Sequence, residues 1–297
     1  VLRPSRFWII AALFAARAAL SSGAQQKIIV EPDPSYREDA LSNRRHPGVD
    51  TDVEMYFNTW RNSPPREGHG GLIEREILKR GDPFKPVQKG AVLRFLKTYN
   101  RAELGPGAGT REYRDDLEQV FFYVWDGTGE LRAGGRAVAL EEGMAIVIPA
   151  RIAYRLRNQS AAPLELVLAA EDTPADFVPA ERISVGRYGD TKPILGAHWA
   201  HVGIPFIYDI DPKFAHPMGF IVVSMDAFDI AQPHTHPAAA EEIWLQLRGR
   251  SLLFFGNRLF DHEPGWAFLV PPNNKVPHSS INPGGEAPLW LFFGCRQ

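Results

Sequence analysis

Gly127, Arg136, Gly143 and Pro149 recur 122 residues later as Gly249, Arg258, Gly265 and Pro271. The stretches Glu141-Glu142-Gly143-Met144-Ala145-Ile146-Val147-Ile148-Pro149 and Glu263-Pro264-Gly265-Trp266-Ala267-Phe268-Leu269-Val270-Pro271 share one pattern. A repeat at fixed spacing means one structural unit used twice. Its apolar runs are short and end in Gly, Pro or Asn, the punctuation of strands and tight turns. The abundance of proline (25) and glycine (26) fits many such strands. The expectation is an all-β chain of two tandem barrels, the first over 90–172 and the second over 217–297, joined by a connection over 173–216.

The second copy carries the chemistry. His234-Thr235-His236 places two imidazoles on one side of an extended segment, because alternate residues in a strand share a face. Glu242 opens the apolar run Ile243 to Leu247, which ends at the turn residue Gly249. Trp266 to Val270 forms a later strand, and the loop Pro271 to Pro277 leads to His278. Four ligands from at least three strands converge only if the sheet curls around them, so a small barrel with a metal inside is expected.

These residues carry a resemblance. His234-x-His236, a short spacer, Glu242, Gly249, Pro271 and His278 resemble the two metal motifs of the cupin superfamily. The resemblance implies two tandem jelly-roll barrels, a bicupin, with metal ligands His234, His236, Glu242 and His278. The spacer from His236 to Glu242 is one residue longer than the family pattern, and Glu241 fits the shorter count. Glu242 is preferred for its distance to Gly249. Neutral imidazoles and a carboxylate suit one divalent transition metal: iron, manganese, nickel, copper or zinc. Alternation adds Trp244 and Gln246 to the face of Glu242, and Ser280 and Asn282 to that of His278. Gln246 and Ser280 are the candidate catalytic residues, placed to hydrogen-bond a substrate or orient a ligand. Trp244 reads as an apolar wall.

The first copy lacks this set. Subtracting the repeat distance from His234, His236 and Glu242 gives Glu112, Arg114 and Val120, which small gaps shift to Tyr113, Glu118 or Gln119. Tyr154 stands where His278 would, and residues 71–185 contain no histidine. This barrel is expected to be metal-free, a scaffold or a second ligand pocket using Tyr113, Gln119, Tyr154 or Arg155.

The remaining segments are less specific. Arg3 and Arg6, the apolar stretch Phe7 to Leu20, and Ser22-Gly23-Ala24 have the layout of a secretory signal peptide over 1–24. A secreted or periplasmic protein is expected, with no membrane attachment after cleavage. Residues 25–89 read as an arm and a barrel-covering segment, with a short helix starting at Asp50 and using Val53, Tyr56, Phe57 and Trp60. His69 reads as a solvated loop residue and His46 as part of the arm. His198 and His201 lie in the connection, within reach of the second barrel's mouth or simply packed there. His216 and His262 read as surface residues. Cys295 is the single cysteine, so no intrachain disulfide forms.

A net charge of −2 gives no basic footprint for nucleic acid. A small-molecule substrate is the expected partner, and a homodimer the expected assembly, since cupin barrels often pair. The family resemblance implies a metal enzyme of the oxygenase or oxidoreductase kind, or an isomerase, decarboxylase or lyase. The other reading is a non-catalytic protein that binds or stores a small ligand.

Overall fold

A computed structural model describes residues 51–197, 201–208, 214–216 and 218–296. The proposed signal peptide, the arm, His46 and His198 lie outside the described residues. Contacts divide the chain into Val1–Pro47 and Gly48–Gln297, and the second unit is the one described.

Strands make up nearly all of its regular structure. They form an eight-stranded sheet, a seven-stranded sheet and two three-stranded sheets. The eight-stranded sheet packs against the separate three-stranded sheet of Gly129–Ala133, Arg136–Leu140 and Tyr154–Arg157 to make the first barrel. Much of its interior is apolar, with Val120, Phe122, Val124, Leu156, Leu166 and Leu168 buried together. The seven-stranded sheet and strands Ser251–Phe255, Arg258–His262 and His278–Ile281 make the second.

The repeat is visible in backbone geometry. Gly127 and Gly249 each follow the barrel's central strand, at φ 86° and 66°. A Cβ on Gly127 would lie 2.4 Å from the Pro163 carbonyl oxygen, so glycine is required for space as well as for conformation. Arg151 and Asn274 also match, as non-glycine residues with φ of 72° and 54°. Their amides bond the carbonyls of Asp115 (2.8 Å) and His236 (2.9 Å) respectively.

The strand map redraws the expected segment boundaries. Arg66–Gly68, Leu72–Arg80 and Ala91–Leu93 belong to the first barrel's large sheet, as does Ser184–Arg187. Ile194–Ala197 and His201–Tyr208 extend the second barrel's large sheet through Met218–Met225. The expected short helix is two 3₁₀ turns, Val53–Tyr56 and Trp60–Asn62, flanking strand Phe57–Thr59. That strand pairs with the free edge of Trp266–Leu269, Phe57 opposite Phe268. Edge pairing satisfies backbone groups that a one-turn helix leaves open. Phe57 also stacks on Trp266 at 4.7 Å.

The two large sheets bury a common core. Phe121 and Tyr123 from the first barrel cluster with Ile243, Leu245, Phe220 and Phe293 from the second. Phe121 lies 5.8 Å from Phe293 and 6.1 Å from Phe220, ring centre to ring centre. A polar clamp spans the same boundary. The buried Glu241 carboxylate accepts from the amides of Arg94 (2.6 Å), Phe95 (3.1 Å) and Leu96 (3.1 Å). Burial raises its pKa, with the three amides pulling the other way.

Removing this carboxylate strands several amides inside the molecule. Glu241→Ala is expected to destabilise the fold by about 2–4 kcal/mol, and Glu241→Gln, which keeps one acceptor, by about half that. Denaturant unfolding of the three proteins measures both.

Candidate metal centre

The site begins with a pairing between two loop-bounded residues. His234 and His278 face each other as an isolated antiparallel bridge, His234 N to His278 O at 3.2 Å and His278 N to His234 O at 2.9 Å. Two residues on, the carbonyl of His236 is held by the Asn274 amide. Asn274 in turn fixes the loop by accepting from the Thr235 hydroxyl at 2.6 Å. Glu242 comes from the central strand Ala240–Arg248, its carbonyl bonded to the Val270 amide at 2.9 Å. One ligand atom from each of His234, His236, Glu242 and His278 lies within 4.8 Å of all the others.

The atoms face one another without pairing as hydrogen bonds would require. His236 Nε2 is 2.8 Å from Glu242 Oε2, and His278 Nε2 is 3.5 Å from Glu242 Oε1. Yet His236 Nε2 and both ring nitrogens of His278 are buried with no hydrogen-bond partner among the described residues. Buried polar atoms are rarely left so. Lone pairs from three imidazoles and a carboxylate, directed at a shared centre, are the donor set of a divalent transition metal, and the residues fit such an ion. Burial works to raise the Glu242 carboxyl, but His236 and His278 outweigh it and hold it well below the usual range. Burial pushes the His278 imidazole down, against the pull of Glu242. Burial thus favours the neutral imidazole of His278, the form that ligates a metal.

Glu242 and His278 are buried, while His234 and His236 are half-buried, so the group opens on the side of His234 and His236. Trp244 does more than wall the site. Its indole N–H donates to Glu242 Oε1 at 2.6 Å, which orients the carboxylate, and its ring stacks on Trp290 at 5.3 Å. Sequence alternation located this ring; the donated hydrogen bond emerged only from the side-chain geometry.

The other predicted residues separate. Glu241, the alternative ligand, points to the opposite face of its strand. Ser280 is buried on the face of His278, and its hydroxyl has no hydrogen-bond partner among the described residues. Gln246 is buried on the face of Glu242, but its amide donates to the carbonyls of Arg248 (2.8 Å) and Gly249 (3.4 Å) at the turn. Asn282 also serves a turn, donating to Asp226 and Glu286 carbonyls at 2.9 Å. His262 is buried rather than at the surface. It packs beside Phe57 and Phe268 and donates to the Trp266 carbonyl, and burial pushes its pKa down to about 3. His216 is partly buried, against Phe95 and Glu171. His201 lies on strand His201–Tyr208.

In the first barrel the matching bridge joins Tyr113 and Tyr154, with amide-to-carbonyl distances of 2.8 and 2.9 Å. The positions equivalent to His234, His236, Glu242 and His278 are therefore Tyr113, Asp115, Val120 and Tyr154. Val120 offers no ligand atom, and the two phenols replace two imidazoles. Gln119 faces away and donates to Glu171 at 2.8 Å, and Arg155 is exposed on the outer face. Neither joins the pocket with the tyrosines. His69 does, although its glycine-rich context suggested a solvated residue. Its ring bridges Glu74 (Nδ1, 2.5 Å) and Glu118 (Nε2, 3.1 Å), and Lys97 and Tyr113 also donate to Glu118, at 2.5 and 3.2 Å. The two carboxylates lie on opposite sides of the imidazole, an ion-pair relay and not a shared centre. Burial works to lower the His69 pKa, but Glu118 and Glu74 outweigh it and hold it at about 9. Burial works to raise Glu118, and His69 and Lys97 bring it down to about 2.

Known proteins place this architecture. The Cupin domain model matches residues 100–170. No curated protein sequence matches the chain. Among solved structures, a glyoxylate-induced protein of Pseudomonas aeruginosa is similar, with a TM-score of 0.66 and 15% identity over 84% of this chain and 93% of that one. A mutant of Bacillus subtilis oxalate decarboxylase has a TM-score of 0.60 and 15% identity, over 82% and 78%. AerE of Microcystis aeruginosa has a TM-score of 0.58 and 13% identity, over 82% and 99%. At these identities the likeness is one of fold.

Two outcomes follow from the geometry. Trp244→Phe keeps a ring and removes the N–H, and is expected to weaken Zn²⁺ or Mn²⁺ binding about 10–100-fold in a titration. His69 stabilises the fold fully below its ordinary value of 6.5, and this contribution is lost as pH rises through about 9. The stability advantage of the native protein over His69→Gln is therefore expected to shrink over that range, as read by urea unfolding at stepped pH. Glu118 sets the acid limit, since its contribution is present above 4.5 and lost as pH falls through about 2.

Proposed function

We propose that this two-barrel chain, whose first barrel matches the Cupin domain model, is an exported bicupin enzyme with one metal centre, held by His234, His236, Glu242 and His278, that oxidises a small organic substrate. The convergence of the four ligand atoms carries this reading. Export rests on the charged, apolar and small-residue layout of the first 24 residues.

Each residue has a definable task. The three imidazoles and the Glu242 carboxylate would hold the ion. Trp244 keeps the carboxylate turned toward it. A metal bound here supplies Lewis acidity and, for iron or copper, redox chemistry with oxygen. The half-buried flank at His234 and His236 is the approach for substrate. Ser280, buried and without a hydrogen-bond partner among the described residues, offers a hydroxyl to a substrate oxygen. Gln246 acts from the turn, holding the end of the strand that carries Glu242. The inner positions 242, 244, 246, 278 and 280 include no Lys or Arg. A substrate with carbonyl or hydroxyl groups suits them better than a strongly anionic one. No helix among the described residues is long and apolar enough to cross a membrane.

The fold shared with oxalate decarboxylase supports a second reading, metal-assisted carbon–carbon cleavage or isomerisation at the same centre. Net oxygen consumption separates the two.

Elemental analysis of the exported protein, with its N-terminus expected at Gln25, is the direct test. About one equivalent of iron, copper, manganese, nickel or zinc is expected, and its loss in His236→Ala. Oxygen uptake with candidate substrates then supports oxidation, whereas turnover without it supports the second reading. Absence of metal from the native protein after reconstitution would overturn both.

A further inference from the structure

The outer face of the first barrel carries a charge arrangement that the fold does not require. Strands Gly129–Ala133 and Tyr154–Arg157 pair antiparallel, with Arg155 directly opposite Arg132 and Arg157 opposite Glu130. Alternation sends Leu131 and Leu156 into the barrel and leaves the three arginines exposed. Like charges placed directly opposite on one face of a sheet repel. One anion is present to offset them: Glu130 lies 2.6 Å from Arg132 Nε. Arg155 and Arg157 make no salt bridge among the described residues.

The second barrel is an internal control. Its matching strands, Ser251–Phe255 and His278–Ile281, place Leu252 opposite Ile281 and Phe254 opposite Ser279. Leu252, Phe254, Ser279 and Ile281 thus occupy the positions of Glu130, Arg132, Arg155 and Arg157. The same backbone accepts four uncharged residues there, so barrel folding does not demand the arginines.

The face is also hollow. A cavity of about 240 Å³ lies over these side chains, bounded by Gly109 and Thr110. Gly109 bridges to Arg157, and a Cβ there would meet the Leu156 carbonyl oxygen at 3.5 Å and the Arg157 side chain at 4.0 Å. On the other side Ala137 and Ala139 pair with Arg132 and Glu130. Their small side chains leave the guanidinium groups uncovered.

We propose that this shelf is a binding site for a small dianion, a phosphate or a dicarboxylate, held by Arg132, Arg155 and Arg157. With Glu130 included the cluster carries two net positive charges, which a dianion neutralises. Guanidinium forks match carboxylate and phosphate oxygens in pairs. The volume suits a small anion better than a nucleotide. The site lies on the first barrel, shares no residue with the four-ligand group of the second, and stands independently of the proposed activity.

Isothermal titration of the full chain with sodium phosphate and, separately, sodium succinate, at an ionic strength matched with chloride, tests this. Saturable binding of at least one is expected, weakened about tenfold or more in Arg155→Ser and in Arg132→Gln, the loss of a charge-assisted hydrogen bond. Arg155→Ser introduces the residue that the second barrel already tolerates, and Arg132→Gln gives an independent reading should it misfold. Phosphate alone assigns the shelf to phosphoryl groups, succinate alone to carboxylates, and both to dianions generally. Neither ligand binding above the chloride control, or unchanged affinity in both folded variants, overturns the proposal.

Discussion

Strand Ala240–Arg248 is buried on both of its faces, and the two faces do different work. Glu241, Ile243, Leu245 and Leu247 turn toward the first barrel, where they join the shared core and the clamp on residues 94–96. Glu242, Trp244 and Gln246 turn into the second barrel. A slip of one residue in register would exchange these sets. It would put the clamp carboxylate among the histidines and leave the amides of 94–96 without an acceptor. Packing between the barrels therefore fixes which glutamate meets His236 and His278. The four-ligand group inherits its precision from packing between the barrels.

The barrels have diverged within one backbone plan. The bridge that joins His234 to His278 recurs as Tyr113 to Tyr154, and the loop residues Arg151 and Asn274 adopt the same left-handed conformation. What changed is the side-chain chemistry. One barrel converges four donors on a point. The other holds an imidazolium between two carboxylates, with Lys97 and Tyr113 on one of them. The first arrangement leaves buried donor atoms open for an ion, while the second satisfies its charges internally. Among the described residues, the four-donor group therefore occurs in the second barrel alone. The outer faces diverged as well, uncharged on one barrel and arginine-bearing on the other.

Much of this was legible in the chain. The repeat and the turn glycines implied two barrels, and alternation implied that His234, His236, Glu242, His278, Trp244 and Ser280 look inward. Errors arose where spacing slips. The repeat distance is 122 at the turn glycines but 121 at Tyr113 and 124 at Tyr154, because loops of unequal length intervene. A fixed offset therefore pointed to Glu112 and Arg114. His69 and His262 were misread for a different reason: burial depends on what packs against a residue, and their partners Glu118 and Phe57 are far away in the chain. Strand Phe57–Thr59 was mistaken for a helix because its pairing edge, Trp266–Leu269, is just as remote.

By itself the sequence determined the all-β class, the twofold repeat and the identity of the metal-type donors, since alternation and turn chemistry are local properties of a chain. Tertiary structure decided the rest. It selected Glu242 over Glu241, gave Trp244 its carboxylate, brought His69 between Glu74 and Glu118, and set Arg132 opposite Arg155. Each of these depends on strand register or side-chain direction in three dimensions, and long-range pairing sets both.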